Sequence, residues 1–111
     1  MRELTVKDAI NEALVEAFEA DEKVILMGED IAGGAGKESY QGARDSWGGP
    51  FGVTKGLLTK FGPERVRDTT IAEAGFVGAA VGAAMTGMRP IVELMYVDFA
   101  GVCFDQLMNQ A

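Results

Sequence analysis

The sequence predicts an α/β fold with a parallel β-sheet, and two observations lead to this prediction. Two mainly apolar runs, VILM at residues 24–27 and IVELMYV at residues 91–97, are typical of strands that are buried on both faces of a sheet. Segments with helical periodicity lie before, between and after these runs. Strands that alternate with helices form parallel sheets, whose crossover connections are right-handed.

Residues 5–20 are predicted to form the first helix. Apolar side chains recur at every fourth position of this segment, at Val6, Ile10, Leu14 and Phe18. Thr5, with Asp8 three positions later, is the pattern of a residue that caps the N-terminus of a helix. The run at residues 24–27 comes next and is predicted to be the first strand.

The glycine-rich segment at residues 28–52 has no periodicity and is predicted to be a loop. Loops of this length in compact domains are usually functional or disordered, and we expect residues 33–49 to be mobile without a partner. The stretch GGAGKES lacks the glycine spacing of phosphate-binding loops. A short helix at residues 53–61, ended by Gly62, and a short strand at residues 65–68 are predicted to follow.

The helix predicted at residues 70–86 is unusually rich in small residues. Gly75, Ala79, Ala83 and Gly87 are four positions apart, as are Gly78 and Gly82. Each internal glycine costs about 1 kcal/mol relative to alanine, so we expect packing to offset the cost and this helix to be buried. It is either a crossover helix in the core or an interface helix. After the strand at residues 91–97, Asp98 is predicted to be the N-cap of a last helix.

Composition and charge disfavour several classes of function. The 111 residues suffice for one domain, and the net charge of −7 disfavours binding to nucleic acids or anionic membranes. The lack of histidine and the single cysteine, Cys103, argue against a Cys/His metal cluster, a histidine-activated nucleophile and an internal disulfide. We find no targeting signal or membrane-spanning stretch and expect a cytoplasmic protein.

Carboxylates are the main candidates for chemistry. Glu73 follows Thr70 by three positions, which is the pattern of a capping box, but a carboxylate at a strand-to-helix junction can also face a ligand. Glu29 directly follows the first predicted strand, where it is either a solvated loop acid or a ligand contact. Glu93 lies inside a strand and needs a partner such as Arg89.

The chain also resembles a known family over almost its whole length. GED at residues 28–30, the segment from GVTKGLLTKFGPERVRDTT to ELMYVDFAG, and FDQLMNQA at the end are similar to the beta subunit of thiamine-diphosphate-dependent 2-oxo acid dehydrogenases. The insert from IAGGAG to WGGPFG is most similar to the acetoin dehydrogenase branch. The resemblance implies a transketolase-like pyrimidine-binding module, of which residues 1–111 are the N-terminal part, without the family's C-terminal domain.

The resemblance also implies roles for individual residues. Glu73 matches the acid that hydrogen-bonds the aminopyrimidine ring of thiamine diphosphate, and Glu29 matches an acid that relays protons near the same site. Phe99 matches the aromatic residue that packs on the ring, and Met95 also lies at a cofactor-binding position. The backbone of Ile71 and that of the next residue, Ala72, line the ring pocket. No residue of this chain is predicted to bind a metal.

In that family, an alpha subunit binds the magnesium and the diphosphate through a Gly-Asp-Gly motif that this chain lacks. The implied partners are this alpha subunit and a second beta subunit, in a heterotetramer, and a lipoyl-bearing acyltransferase. We expect the chain to be inactive alone. The alternatives are a pyruvate or branched-chain 2-oxo acid dehydrogenase subunit and, from another class, a non-catalytic interaction module.

Apart from the resemblance, the residue types of Tyr96, Phe99 and Cys103 favour positions in the core.

Overall fold

A computed structural model describes residues 2–32 and 48–111 of the chain. Three strands, β1 (Val24–Glu29), β2 (Val66–Thr69) and β3 (Arg89–Glu93), form a parallel sheet in the order β2-β1-β3. The central strand β1 pairs with β2 on one edge and with β3 on the other. The predicted α/β fold with a parallel sheet is confirmed.

Three α-helices accompany the sheet: α1 (Val6–Ala20), α2 (Leu57–Phe61) and α3 (Glu73–Met85). A 3₁₀ helix, Val97–Gly101, and a π-helical turn, Gln106–Gln110, follow β3. The first helix begins as predicted, because the hydroxyl of its N-cap threonine accepts a hydrogen bond from a backbone N–H of the first turn.

The two faces of the sheet pack into separate apolar cores. Neighbouring residues of a strand point to opposite faces, and Ile91 and Val92 of β3 contact different clusters. The first cluster includes Leu14, Phe18, Leu26, Leu57 and Val66, and the second contains Phe76, Val77 and Cys103. The sheet therefore lies between α1 and α2 on one side and α3 on the other.

Several element boundaries differ from the sequence prediction. β1 continues through Gly28 and Glu29, which we expected in the loop, because they pair with Asp68 and Thr69 of β2. The rest of that loop, with the predicted mobility of residues 33–49, lies mostly outside the described residues.

The bounds of α2, α3 and β3 and the structure of the C-terminal segment also differ from the prediction. α3 begins at Glu73 rather than at residue 70, and β3 spans Arg89–Glu93 rather than residues 91–97. α2 begins at Leu57, later than predicted, since Gly56 has a φ of 82° that an α-helix does not allow. Asp98 is not an N-cap, because it lies inside a 3₁₀ helix that begins one residue earlier. The N–H of Phe99 donates to the carbonyl of Tyr96 at 3.0 Å, which is the i→i+3 spacing of that helix type.

Arg65, just before β2, ties α1, α2 and β1 together. Its guanidinium donates to the backbone carbonyls of Val24 at 2.9 Å, Phe18 at 3.0 Å and Asp21 at 2.7 Å. It also lies 4.6 Å from the centre of the Phe18 ring and 5.4 Å from that of Phe61. One cationic side chain therefore satisfies carbonyls at the end of α1 and at the start of β1.

We predict that Arg65→Met lowers the free energy of unfolding by about 2–4 kcal/mol, because three charge-assisted hydrogen bonds and the ring contacts are lost. Urea denaturation monitored by circular dichroism measures this change. The matched control is Arg67→Met, two residues further along, where an exposed side chain should cost no more than about 0.5 kcal/mol. Equal losses in the two variants would contradict the role of Arg65.

Candidate functional site at the carboxyl ends of the strands

Three polar side chains meet where β1 and β2 end. Glu29 is the last residue of β1 and Thr69 the last of β2, and the two are register partners. Glu73 is the first residue of α3 and acts electrostatically on Glu29. The structure thus brings together the two acids that the sequence predicts as catalytic, at the edge where parallel sheets bind ligands. Thr69 was missed, because its position in register with Glu29 is a property of strand pairing.

The Glu73 side chain is buried, with 8% of its surface exposed. The capping box predicted with Thr70 is wrong: β2 runs to Thr69, Thr70 is exposed in the connection, and Ala72 is the N-cap without a side-chain hydrogen bond. Among the residues that the structure describes, none forms a hydrogen bond or an ion pair with this carboxylate. An acid at a helix N-terminus complements the helix dipole. Glu73 is therefore buried where an anion is favoured, and its oxygens are available to a ligand.

Glu29 has an altered acidity. Burial raises the pKa of its carboxyl above the ordinary value, and the negative charges of Glu73 and Asp30 raise it further. Its Oε1 atom is buried and has no hydrogen-bond partner. A carboxyl whose pKa is shifted toward neutrality is suited to exchanging a proton.

Two hydrogen bonds fix the chain where it leaves β1. The backbone N–H of Ala32 donates to Asp68 Oδ1 at 2.6 Å, and the Thr54 hydroxyl donates to the carbonyl of Ile31 at 2.7 Å. Asp30 has a φ of 57°, in the left-handed region that residues with a Cβ rarely adopt. These hydrogen bonds and the conformation of Asp30 fix the path of the backbone at residues 30–32, directly after Glu29.

The other predicted site residues lie in two places. Ile71 is 84% exposed and Ala72 is also exposed, in the connection that leads into α3. Met95 and Phe99 are half-buried and follow the carboxyl end of β3, on the opposite side of β1 from Thr69. All these positions therefore follow carboxyl ends of strands.

Three aromatic side chains, those of Phe51, Tyr96 and Phe99, form a row that the sequence analysis did not predict. The row connects the turn that contains Phe51 to the 3₁₀ helix. The Tyr96 ring makes edge-to-face contacts with Phe51 at 5.5 Å and with Phe99 at 5.6 Å between ring centres. Tyr96 is 51% exposed, so the expectation that it belongs to the core is wrong. Its ring forms the middle of the row and leaves one side open.

Other sequence expectations have mixed outcomes. Burial raises the pKa of the Glu93 carboxyl, and its predicted partner Arg89 instead pairs with Asp21 at 2.7 Å. Cys103 is fully buried, as expected.

The small-residue face of α3 is not buried. Gly75, Ala79 and Gly82 are exposed, while the helix packs through Phe76 and Val77. The expectation that α3 is buried is confirmed for the side that carries Phe76, Val77 and Ala80. The alternative of an interface helix, which would cover the small-residue face, stays a prediction.

An apolar cavity of about 550 Å³ lies away from the acids, between α3, β3 and the C-terminal turn. It is lined by Val81, Pro90 and Leu107 among others, and no charged side chain reaches it. None of its lining residues belongs to the candidate site at the carboxylates. In residues 2–32 and 48–111, no three metal-ligating side chains cluster and no helix is long and apolar enough to cross a membrane.

The fold and the site define the class of protein. Residues 2–111 match the family described as "Transketolase, pyrimidine binding domain", and the chain belongs to this family. It is 56% identical over 110 residues, 99% of this chain and 31% of the relative, to the acetoin:2,6-dichlorophenolindophenol oxidoreductase subunit beta of Cupriavidus necator. It is equally identical over 109 residues, 98% of this chain and 32% of the relative, to the subunit of that name from Bacillus subtilis.

A third relative is the mitochondrial pyruvate dehydrogenase E1 component subunit beta-1 of Arabidopsis thaliana, at 46% identity over 110 residues, 99% of this chain and 27% of the relative. The resemblance to this group of beta subunits is confirmed. The chain spans 27% to 32% of the length of these curated relatives.

We predict that Glu29→Gln stabilises the protein at neutral pH. Because the pKa of Glu29 is raised in the folded state, its stabilising contribution is present at low pH, where the carboxyl is protonated, and is lost as the pH rises through the folded pKa. The variant removes this loss, so its melting temperature should exceed the parent's at about pH 7 and equal it at about pH 4. Glu16→Gln, on an exposed position of α1, is the control and should follow the parent at both pH values. A constant difference across pH would contradict the assignment.

Proposed function

We propose that this chain forms the pyrimidine side of a thiamine diphosphate site in an acetoin dehydrogenase, which cleaves acetoin oxidatively and passes the acyl group to a lipoyl-bearing partner. The observation that carries this proposal is the buried Glu73 carboxylate, which has no hydrogen-bond partner among the described residues and lies beside the unpaired Oε1 of Glu29. Oε1 of Glu29 is a buried polar atom without a partner, which is uncommon in folded proteins and is consistent with a catalytic role.

The residues present fit this cofactor. When bound, thiamine diphosphate supplies the carbanion chemistry that breaks a bond next to a carbonyl group. Glu73 would accept a hydrogen bond from the protonated ring nitrogen of the aminopyrimidine and hold the proton there. Glu29, with its raised pKa, would exchange protons near the same ring. Met95 and Phe99 would supply the apolar wall.

Glu73 is reached from the exposed connection before α3. Ile71 and Ala72 are exposed there, so their backbone groups are accessible to a ring that enters beside the acid. This exposure supports their proposed role in lining the ring pocket.

Acetoin is the substrate that we favour among the relatives' substrates. Identity is 56% to the two acetoin oxidoreductase subunits and 46% to 47% to the pyruvate dehydrogenase subunits. Pyruvate or a branched-chain 2-oxo acid is the alternative substrate.

We further propose that the chain is the N-terminal part of its domain and works, in the cytoplasm, in a heterotetramer of two alpha and two beta subunits. The alpha subunit would hold the magnesium ion. The exposed small-residue face of α3 and the exposed apolar side chains near the C-terminus, Val97, Val102, Phe104 and Met108, support contacts of this kind. The same surfaces are what a non-catalytic interaction module would use.

We predict that Glu73→Gln lowers the rate of acetoin-dependent dye reduction by at least about 100-fold, because the amide cannot hold a ring proton as a carboxylate does. The assay uses the full-length subunit with its alpha partner, magnesium and thiamine diphosphate. Glu22→Gln, at an exposed turn before β1, is the control and should keep the parent's rate.

Each other outcome has a separate meaning. Equal rates in the Glu73→Gln variant and the parent would remove Glu73 from catalysis. Turnover of pyruvate but not acetoin would keep the cofactor and change the substrate. If thiamine diphosphate does not raise the melting temperature of the parent assembly, the interaction module is the better proposal, since a ligand that binds the native state must stabilise it.

A further inference from the structure

Two buried oxygen atoms without hydrogen-bond partners belong to residues that are paired across β1 and β2. Oε1 of Glu29 and Oγ1 of Thr69 are both buried and make no hydrogen bond. The two residues are direct register partners at the ends of their strands. Buried polar atoms in native proteins are nearly always paired, so the unpaired atoms on these two neighbouring residues call for a structural explanation.

The strand pairing shows that both side chains point to the same face of the sheet. Leu26 and Val66 are register partners, and both belong to the core on the side of α1 and α2. Side chains alternate along a strand, so the residues three positions later, Glu29 and Thr69, point to the opposite face, where α3 begins with Glu73. Partners on one face of a sheet are close enough to interact.

Thr69 differs in this respect from the other threonines for which the structure gives a contact. The buried Thr54 hydroxyl donates to the carbonyl of Ile31 at 2.7 Å, and the Thr86 hydroxyl donates to that of Ala83 at 2.8 Å. The hydroxyl of Thr69 is buried without any such bond. Its chain neighbour Thr70 is exposed.

We propose that Thr69 is a positioning residue for Glu29, whose ionised carboxylate accepts a hydrogen bond from the Thr69 hydroxyl, directly or through one water molecule. This proposal rests on the proposed function, in which Glu29 exchanges protons beside the cofactor ring. The hydrogen bond favours the charged form of Glu29 and restricts the orientation of its carboxylate.

The charged groups around Glu29 are mainly negative, so a neutral hydrogen-bond donor such as the Thr69 hydroxyl can help to stabilise its ionised form. Glu73 on α3 and Asp30 in the following loop both oppose ionisation of Glu29. Arg67, on the same face of β2 as Thr69, donates to the carbonyl of Glu64 at 2.9 Å and is exposed. A neutral donor at position 69 is thus placed to offset part of the repulsion between the acids.

The test compares T69V, which keeps the shape and removes the hydroxyl, with T69S, which keeps the hydroxyl, and with T70V as the matched control. The first readout is the pH dependence of the melting temperature of the full-length, assembled protein without cofactor. The melting temperature falls as the pH rises through the pKa of Glu29. We expect the midpoint of this fall to lie about one pH unit higher in T69V and to be unchanged in T69S and T70V. In the E29Q background the difference between T69V and the parent should vanish.

The second readout is the pH profile of dye reduction by the assembly with thiamine diphosphate and magnesium. In T69V, the rise in rate on the acidic side of this profile should occur at a pH that is higher by the same amount. T69S should keep the profile of the parent. A melting transition that is unchanged in T69V, or that moves equally in T70V, overturns the proposal. If the parent assembly neither binds the cofactor nor turns over, the proposed function fails, and the melting transition still decides whether Thr69 acts on Glu29.

Discussion

The pairing of β1 with a parallel strand on each edge is the constraint on which the rest of the structure depends. Because both neighbours run in the same direction, the ends of all three strands open at one edge of the sheet. The register then sets Glu29 beside Thr69, and the connection after β2 brings Glu73 to the same place. Arg65 supports this arrangement from the opposite end by joining α1 to the start of β1.

The arrangement of the acids opposes the stability of the fold. Burial removes hydration from the Glu29 carboxyl and raises its pKa, and the two carboxylates nearby raise the pKa further. A protein selected for stability alone would place a neutral or paired group there. The hydrogen bonds of Ala32 and Thr54 hold residues 31 and 32 in place, directly after these acids. Local cost of this kind is typical of functional sites.

Much of the fold could be predicted from the sequence, because local patterns determine it. Apolar residues at every fourth position, together with the N-cap residue Thr5, predicted α1. The two apolar runs predicted the strands β1 and β3. The start of α3 could not be predicted, since the local Thr70–Glu73 pattern favoured a capping box and pairing of β2 with β1 overrode it. Glu29 and Glu73 could be proposed as site residues because the resemblance and their positions at strand ends agreed, and their role stays a prediction.

The residues that were missed depend on contacts between distant segments. Thr69 gains its importance only from strand register, and the row through Tyr96 needs two segments to meet. The exposed face of α3 shows the same limit, because a stripe of small residues indicates close packing without specifying what packs there.

Gly28 has a consequence for how this site can change during evolution. A Cβ there would lie 3.0 Å from Cγ2 of Ile31 and 3.1 Å from the carbonyl oxygen of Glu93, which strand pairing holds in place. No substitution at position 93 can relieve a clash with its backbone. A side chain at the position before Glu29 thus requires Ile31 or Glu93 to shift by a few tenths of an ångström. Divergence of this sequence is therefore easier in the segments that follow the strands than in the backbone that carries the first acid.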